Sequence, residues 1–195
     1  MSEPAGATGP EPLSLRFANT RYAVRGQARD HIATPELLQA WLARHADELG
    51  AAPEVVPADV PAFADLRDAV RELIAVAIPV VVLGGDPAPA HEDAVALLNR
   101  LSAGAPTWPT LVRADGRFQV IRRATGDGRT LALATLARDA ITLLTGELAG
   151  GLRACGAAGC VQFFVKDHPR REWCSTACGN RVRAARHYLR RRDDR

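Results

Sequence analysis

Cys155-Gly-Ala-Ala-Gly-Cys160 and Cys174-Ser-Thr-Ala-Cys178 hold all four cysteines of this 195-residue chain, with thirteen residues between the pairs. A C-x4-C pair followed by a C-x3-C pair is the spacing of ligands to one tetrahedral metal ion, each pair wrapping one side of it. Cys155, Cys160, Cys174 and Cys178 are therefore expected to bind a single structural Zn2+. Four thiolates leave no open coordination position, which a catalytic zinc requires. Two disulfides or four unrelated core cysteines are the alternatives. Both are disfavoured, because cysteine occurs nowhere else and a module of about forty residues has too little core to fold unaided. With four thiols available, His168 and His187 are not needed as ligands.

The residues around the pairs predict how the module folds. Val161, Phe163, Phe164 and Val165 read as a strand, and Asp167-His168-Pro169 as a turn. Trp173 is placed to pack on the apolar side of the metal. Ser175 is a good N-cap, which puts Cys178 in the first turn of a helix, where free N–H groups and the positive dipole end favour thiolate. At about 100° per residue, Cys178, Val182, Ala185 and Leu189 share one face, while Arg183, Arg186, His187 and Arg190 lie on another. Knuckle, hairpin and helix together predict a zinc-ribbon or treble-clef-like module.

Charge divides the chain at the same place. Residues 151–195 carry ten arginines and one lysine against four acidic residues, a net +7, whereas residues 1–150 carry fourteen arginines against eighteen, a net −4. Only the basic part is suited to a polyanion. Arg170, Arg171, Arg181, Arg183, Arg186, Arg190, Arg191 and Arg192 are the candidate nucleic-acid contacts. Four thiolates and Zn2+ sum to −2, so part of this charge offsets the metal site and about +5 is left for a partner.

Upstream, the sequence predicts a mainly α (α+β) fold. Residues 1–12, rich in Pro, Gly, Ala and Glu, are expected to be disordered, followed by the apolar stretch Leu13–Phe17. Thr34 as N-cap, Pro35 at the first helical position and Glu36 in the first turn start a helix carrying Leu37, Leu38, Trp41, Leu42, His45 and Leu49. A second helix runs from Pro61 to Ala77, with Phe63, Leu66, Val70, Leu73 and Ile74 inward. A Gly84-Gly85-Asp86-Pro87 turn leads to a third from Ala90 to Ser102, bearing Val95, Leu98 and Leu101. Asp115-Gly116, flanked by Thr110–Ala114 and Arg117–Arg123, is a strong two-residue hairpin signal. A last helix, Arg129 to Ala149, closes at Gly150-Gly151, the expected joint between residues 13–150 and the module at 151–195.

Cys178-Gly179-Asn180-Arg181, preceded by Trp173-Cys174-Ser175, resembles the signature of the CGNR zinc-finger family. Leu15-Arg-Phe-Ala-Asn-Thr20 resembles the Leu-x-Phe-x-Asn-Thr opening of the ABATE domain usually fused to it, which is described as a stress-induced transcription regulator. Thr34-Pro-Glu-Leu-Leu-Gln-Ala-Trp-Leu42 resembles that domain's first helix, and Leu97-Leu-Asn99 is a further short match. The resemblance covers nearly all of the chain after residue 12. It implies that the four cysteines are zinc ligands and that the finger binds DNA.

The expected function is a DNA-binding transcription regulator of the cytoplasm, whose helical domain senses a signal or dimerises. A protein-interaction module docking an acidic surface, an RNA-binding protein and a thiol redox switch are the alternatives. A homodimer is reasonable because one zinc module covers few base pairs. No apolar run is long enough for a membrane span. Asn19, Thr20 and Arg21 form a candidate ligand pocket. His31, His45 and His91 are scattered, with His45 expected as a boundary residue between the buried and exposed faces of its helix. Gly84-Gly85-Asp86 is too short for a phosphate loop, and the chain is not expected to be an enzyme.

Overall fold

A computed structural model describes residues 11–24, 27–50, 52–78 and 91–193. The segment expected to be disordered lies outside the described residues up to residue 10. Pro12 is already engaged, its carbonyl accepting from the N–H groups of Leu15 and Arg16 at 3.1 and 3.0 Å. The apolar stretch that follows is a short helix, α1 (Leu13–Ala18), with Leu15, Phe17 and Ala18 wholly buried. Of its six residues only Arg16 is not buried, and α1 is packed between two longer helices, α4 (Val60–Ala77) and α6 (Gly128–Thr145).

A hairpin absent from the sequence reading follows, β1 (Arg21–Val24) paired with β2 (Gln27–Asp30). Its strands contain Arg, Gln and Asp where an alternating apolar face would have announced them. Tertiary contact holds it. Arg67, buried on α4, reaches Asp30 at 2.6 Å and Asp68 at 3.0 Å, and these carboxylates keep it charged although burial opposes that.

α2 (Pro35–Arg44) starts as its capping residues dictate, the Leu37 N–H bonding to Thr34 Oγ1 at 3.3 Å. Leu38, Trp41 and Leu42 point inward, while Leu37, expected on the same stripe, is 41% exposed. His45 ends α2 and is buried, not at the core boundary: its ring lies 4.4 Å from that of Trp41, tilted by 50°, and its Nδ1 lies 3.1 Å from Arg16 and 3.4 Å from Glu48. Burial and the Arg16 charge hold its pKa below the ordinary histidine value. Leu49 belongs to a separate turn of helix, α3 (Ala46–Leu49).

α4 (Val60–Ala77) carries the expected inner face, with Phe63, Leu66, Val70 and Ile74 buried. The Gly84–Pro87 turn lies outside the described residues. α5 (Glu92–Ala103) buries Leu98 but leaves Val95 46% exposed. β3 (Thr107–Ala114) and β4 (Arg117–Ala124) form an eight-pair ribbon, longer than expected. Asp115 (φ 50°) and Gly116 (φ 75°) both sit in the left-handed region, as a type I′ turn demands. α6 (Gly128–Thr145) is capped by Asp127, whose carboxylate accepts from Thr130 N at 2.7 Å. It stops at Gly146, four residues short of the joint expected at Gly150, and a 3-10 turn over Ala149–Gly151 completes the passage.

The core of this helical body centres on Phe17, whose ring lies 5.0 Å from Trp41 and 6.5 Å from Phe63. Among the described residues, no helix is long and apolar enough to cross a membrane.

The last elements are β5 (Leu152–Ala154), β6 (Phe163–Val165) and α7 (Thr176–Asp193), with β5 and β6 antiparallel. Successive side chains of a strand point to opposite faces. Phe163 accordingly enters the core of the helical body with Leu152, while Phe164 enters a second core formed by Cys155, Ala157, Cys174 and Cys178. One three-residue strand therefore belongs to both cores.

Candidate metal centre and arginine helix

The first cysteine pair is held by a tight knuckle. Cys155 N–H donates to Gln162 O and Cys160 N–H to Ala157 O, both at 2.9 Å. Gly159 at φ +72° supplies the left-handed turn that brings Cys160 back. The second pair is held by α7: Ser175 Oγ accepts from Cys178 N at 3.3 Å, the N-cap bond expected from sequence.

The four Sγ atoms lie within 4.8 Å of one another. Cys174 to Cys178 is 3.6 Å, and Cys160 to Cys174 and to Cys178 are each 3.8 Å. A tetrahedron with Zn–S bonds of about 2.3 Å has edges of about 3.8 Å, so the donor set fits zinc. A disulfide needs sulfurs about 2.05 Å apart, and all four cysteines are free.

Electrostatics calls for a cation here. The Cys174 thiol facing Cys160 pulls the Cys160 pKa down to about 5. The same contact, reinforced by burial, pushes Cys174 far up, and burial pushes Cys178 up. Four adjacent thiolates are incompatible with each other unless a divalent charge sits among them. Cys155 Sγ also accepts the Cys174 N–H at 3.4 Å, and Cys178 Sγ accepts from Arg181 Nη2 at 3.5 Å. Both contacts offset thiolate charge.

Each residue of Cys178-Gly179-Asn180-Arg181 has a visible task. Cys178 is a ligand. A side chain on Gly179 would meet Trp173 Cε3 at 3.1 Å, so glycine admits the indole against α7. Asn180 Oδ1 accepts from Arg183 at 2.5 Å, and Arg181 leans on Cys178. Trp173 and Val182 pack on the cysteine cluster, and Arg183 lies 6.0 Å above the Trp173 ring.

The eight candidate arginines separate into groups. Arg171 is built into the finger: it donates to the carbonyls of Val165, Trp173 and Cys174, pairs with Asp167 at 3.2 Å and covers Phe164 at 5.0 Å. Arg181 and Arg183 brace the start of α7. Arg170, Arg186, Arg190 and Arg191 are exposed, and the side chain of Arg192 lies outside the described residues. Sequence periodicity placed Ala185 on the buried face with Val182, but Ala185 is exposed. The finger is too small to cover more than the first turns of α7, and the described side chains beyond Val182 all face solvent. The Leu189 side chain lies outside the described residues.

Asn19, Thr20 and Arg21 do not form a shared pocket. Asn19 clasps the finger: its Nδ2 donates to Phe163 O at 2.8 Å, and its Oδ1 accepts from Phe163 N at 2.9 Å. Both polar atoms of the amide are thereby used. Thr20 Oγ1 is buried and donates to Phe17 O at 2.7 Å, while Arg21 faces Asp68 at 3.8 Å on the surface. Arg71 adds to the clasp, donating to Ala18 O at 2.7 Å and Val161 O at 2.8 Å with its guanidinium 5.0 Å from the Phe163 ring. A cavity of about 490 Å³ lies elsewhere, lined by Asp47, Arg122, Arg123, Arg138 and Asp139 among others.

The clasp gives a direct test. Asn19→Ala leaves the Phe163 main chain without two partners at a partly buried site. It is expected to cost about 1–3 kcal/mol of unfolding free energy, read by denaturant titration, with zinc stoichiometry unchanged. A loss under about 0.3 kcal/mol would mean that solvent replaces the amide freely.

Fold and site together define a helical domain joined to a small four-cysteine zinc finger. The family described as "Putative stress-induced transcription regulator", ABATE, matches residues 11–147, and the CGNR zinc finger matches residues 152–191. The chain belongs to the ABATE family and carries a CGNR zinc finger, in which the four cysteines hold one structural zinc. No curated protein matches the chain.

Proposed function

We propose that this protein is a transcription regulator of the cytoplasm that binds DNA through the exposed arginine face of α7, while the helical body senses a signal or dimerises. The observation that carries this reading is the state of α7 beyond Val182. Arg186, Arg190 and Arg191 stand on a helix whose flank is covered by nothing among the described residues, and a helix of this size fits a major groove. Zinc does no chemistry here: it fixes the foot of the helix so that the arginines are presented in one arrangement.

Three to five phosphate contacts imply that log K falls against log salt with a slope of about −3 to −4. Titration of the zinc-loaded protein into labelled duplex at several salt concentrations measures it. Arg183→Ala with Arg186→Ala is expected to make the slope shallower by about 1–2 and to weaken binding at every sequence. Absence of binding at low salt, or indifference to the double substitution, sinks the proposal. Retained binding to single-stranded RNA alone, or to one acidic protein, assigns the helix to that partner instead. Selection of bound duplexes from random DNA would return a palindrome if the protein acts as a dimer.

A further inference from the structure

The net −4 of residues 1–150 conceals a local reversal. Residues 107–124, the β3–β4 ribbon, carry Arg113, Arg117, Arg122 and Arg123 against Asp115 alone, a net +3, which leaves a net −7 on the rest of that part. All four arginines are exposed, and among the described residues none makes an ion pair or a side-chain hydrogen bond. In the rest of the body Arg16, Arg67, Arg71 and Arg138 are engaged with carboxylates or carbonyls, whereas Arg44 and Arg100 are exposed singly on helices.

The ribbon is also bare in its apolar surface. Strand partners share a face, so the register Pro109↔Arg122, Leu111↔Val120 and Arg113↔Phe118 puts these six residues on one side. Leu111, Val120 and Phe118 on that side are 66%, 69% and 74% exposed. The opposite side holds the half-buried Thr110, Val112, Ala114 and Ile121 among the exposed Trp108, Arg117, Gln119 and Arg123. An apolar strip thus has an arginine at each end, Arg113 beside the turn and Arg122 at the edge of the cavity that Asp47 and Asp139 also line.

We propose that this face of the β3–β4 ribbon is a second DNA-binding element, which lies in a groove of duplex DNA. The proposal rests on the reading of α7 above and extends it to a part of the chain outside the finger. Charge complementarity favours the polyanion: a symmetric pairing of two copies through this face would bring two +3 ribbons together, whereas a phosphate backbone neutralises both ends of the strip. A two-stranded ribbon fits the major groove, and apolar side chains between phosphate-contacting arginines meet thymine methyl groups there. An acidic body keeps the remainder of the domain off the DNA, so the ribbon and α7 are the surfaces on which it can settle.

The test uses full-length zinc-loaded protein and a duplex selected by the wild type. Arg113→Ala with Arg122→Ala is expected to make the log–log salt slope shallower by about 2 and to weaken binding on the order of 10- to 100-fold at 0.1 M salt. Phe118→Ser is expected to weaken binding several-fold without altering the slope, since it removes no charge. All three positions are exposed, and an unchanged melting temperature and zinc content verify that the variants fold. Wild-type binding with unchanged affinity and slope in the double variant overturns this proposal and leaves the α7 reading standing. Failure of the wild type to bind duplex DNA overturns both. A concentration-dependent dimer lost on Phe118→Ser, with DNA binding intact, assigns the strip to a second copy and also overturns it.

Discussion

Removing zinc is expected to unfold the finger outright and to lower the stability of the helical body as well. The second core contains Cys155, Ala157, Phe164, Cys174 and Cys178, with Cys160, Trp173 and Val182 at its edge. So few side chains cannot offset the conformational entropy of some forty residues, and structural zinc supplies about 10–16 kcal/mol in such modules. Cys174→Ser, or excess chelator, should reduce metal content from one zinc per chain to none. Hydrogen exchange should then open the amides of β5, β6 and the start of α7. Because Leu152 and Phe163 are part of the body's own core, its melting temperature should fall too. A finger that keeps its amide protection without metal would refute a structural role for zinc.

The same site fixes the direction of the pH effect. Zinc requires thiolates, but Cys174 and Cys178 resist ionisation more than an ordinary thiol, while Cys160, near 5, gives up its proton easily. Metal binding at neutral pH therefore releases protons. In the zinc-bound fold the thiols are held ionised below their unfolded pKa of about 8.5, so the stability they confer is full at alkaline pH and declines as pH falls. Zinc affinity measured by competition with a chromogenic chelator should weaken steadily from pH 8 to pH 5. Affinity constant across that window would contradict four thiolate ligands.

Phe163→Ala and Phe164→Ala are expected to cost similar energies and to fail in different places. Each removes a buried aromatic ring, a loss of about 3–5 kcal/mol. Phe163 fills the helical body under Arg71, with Asn19 holding its main chain, so its removal should undock the finger while one zinc stays bound. Phe164 lies 1% exposed among the cysteines under Arg171. Its removal should weaken zinc affinity first. Denaturant unfolding followed separately by zinc release and far-UV circular dichroism distinguishes the two outcomes. Equal zinc loss from both variants would mean that the strand does not divide its faces between two cores.

Much of the site was legible in order along the chain. The C-x4-C and C-x3-C spacing, Ser175 as N-cap, Thr34 as N-cap and the Asp115-Gly116 turn are all decided by residues within five positions of one another, and local chemistry is enough to read them. Four features were not legible. The β1–β2 hairpin has polar strands and depends on Arg67, thirty-seven residues from Asp30. The isolated apolar stretch Leu13–Phe17 gave no period long enough to distinguish helix from strand. His45 is buried by Trp41 and the Arg16–Glu48 pair, which periodicity cannot supply. The basic charge of β3–β4 was lost in a sum over 150 residues, and only strand register revealed that its arginines flank one apolar strip.

The sequence alone determined that one metal would be held by Cys155, Cys160, Cys174 and Cys178 at the foot of an arginine-rich helix. Ligand spacing and helix capping act over single turns of chain, and so are written in adjacent residues. Only the tertiary structure decided that the finger is fastened to the helical body, through Asn19 and Phe163, which lie 144 residues apart. A strand pattern shows that Phe163 and Phe164 face opposite ways, but which core each enters depends on what the rest of the chain brings to either side.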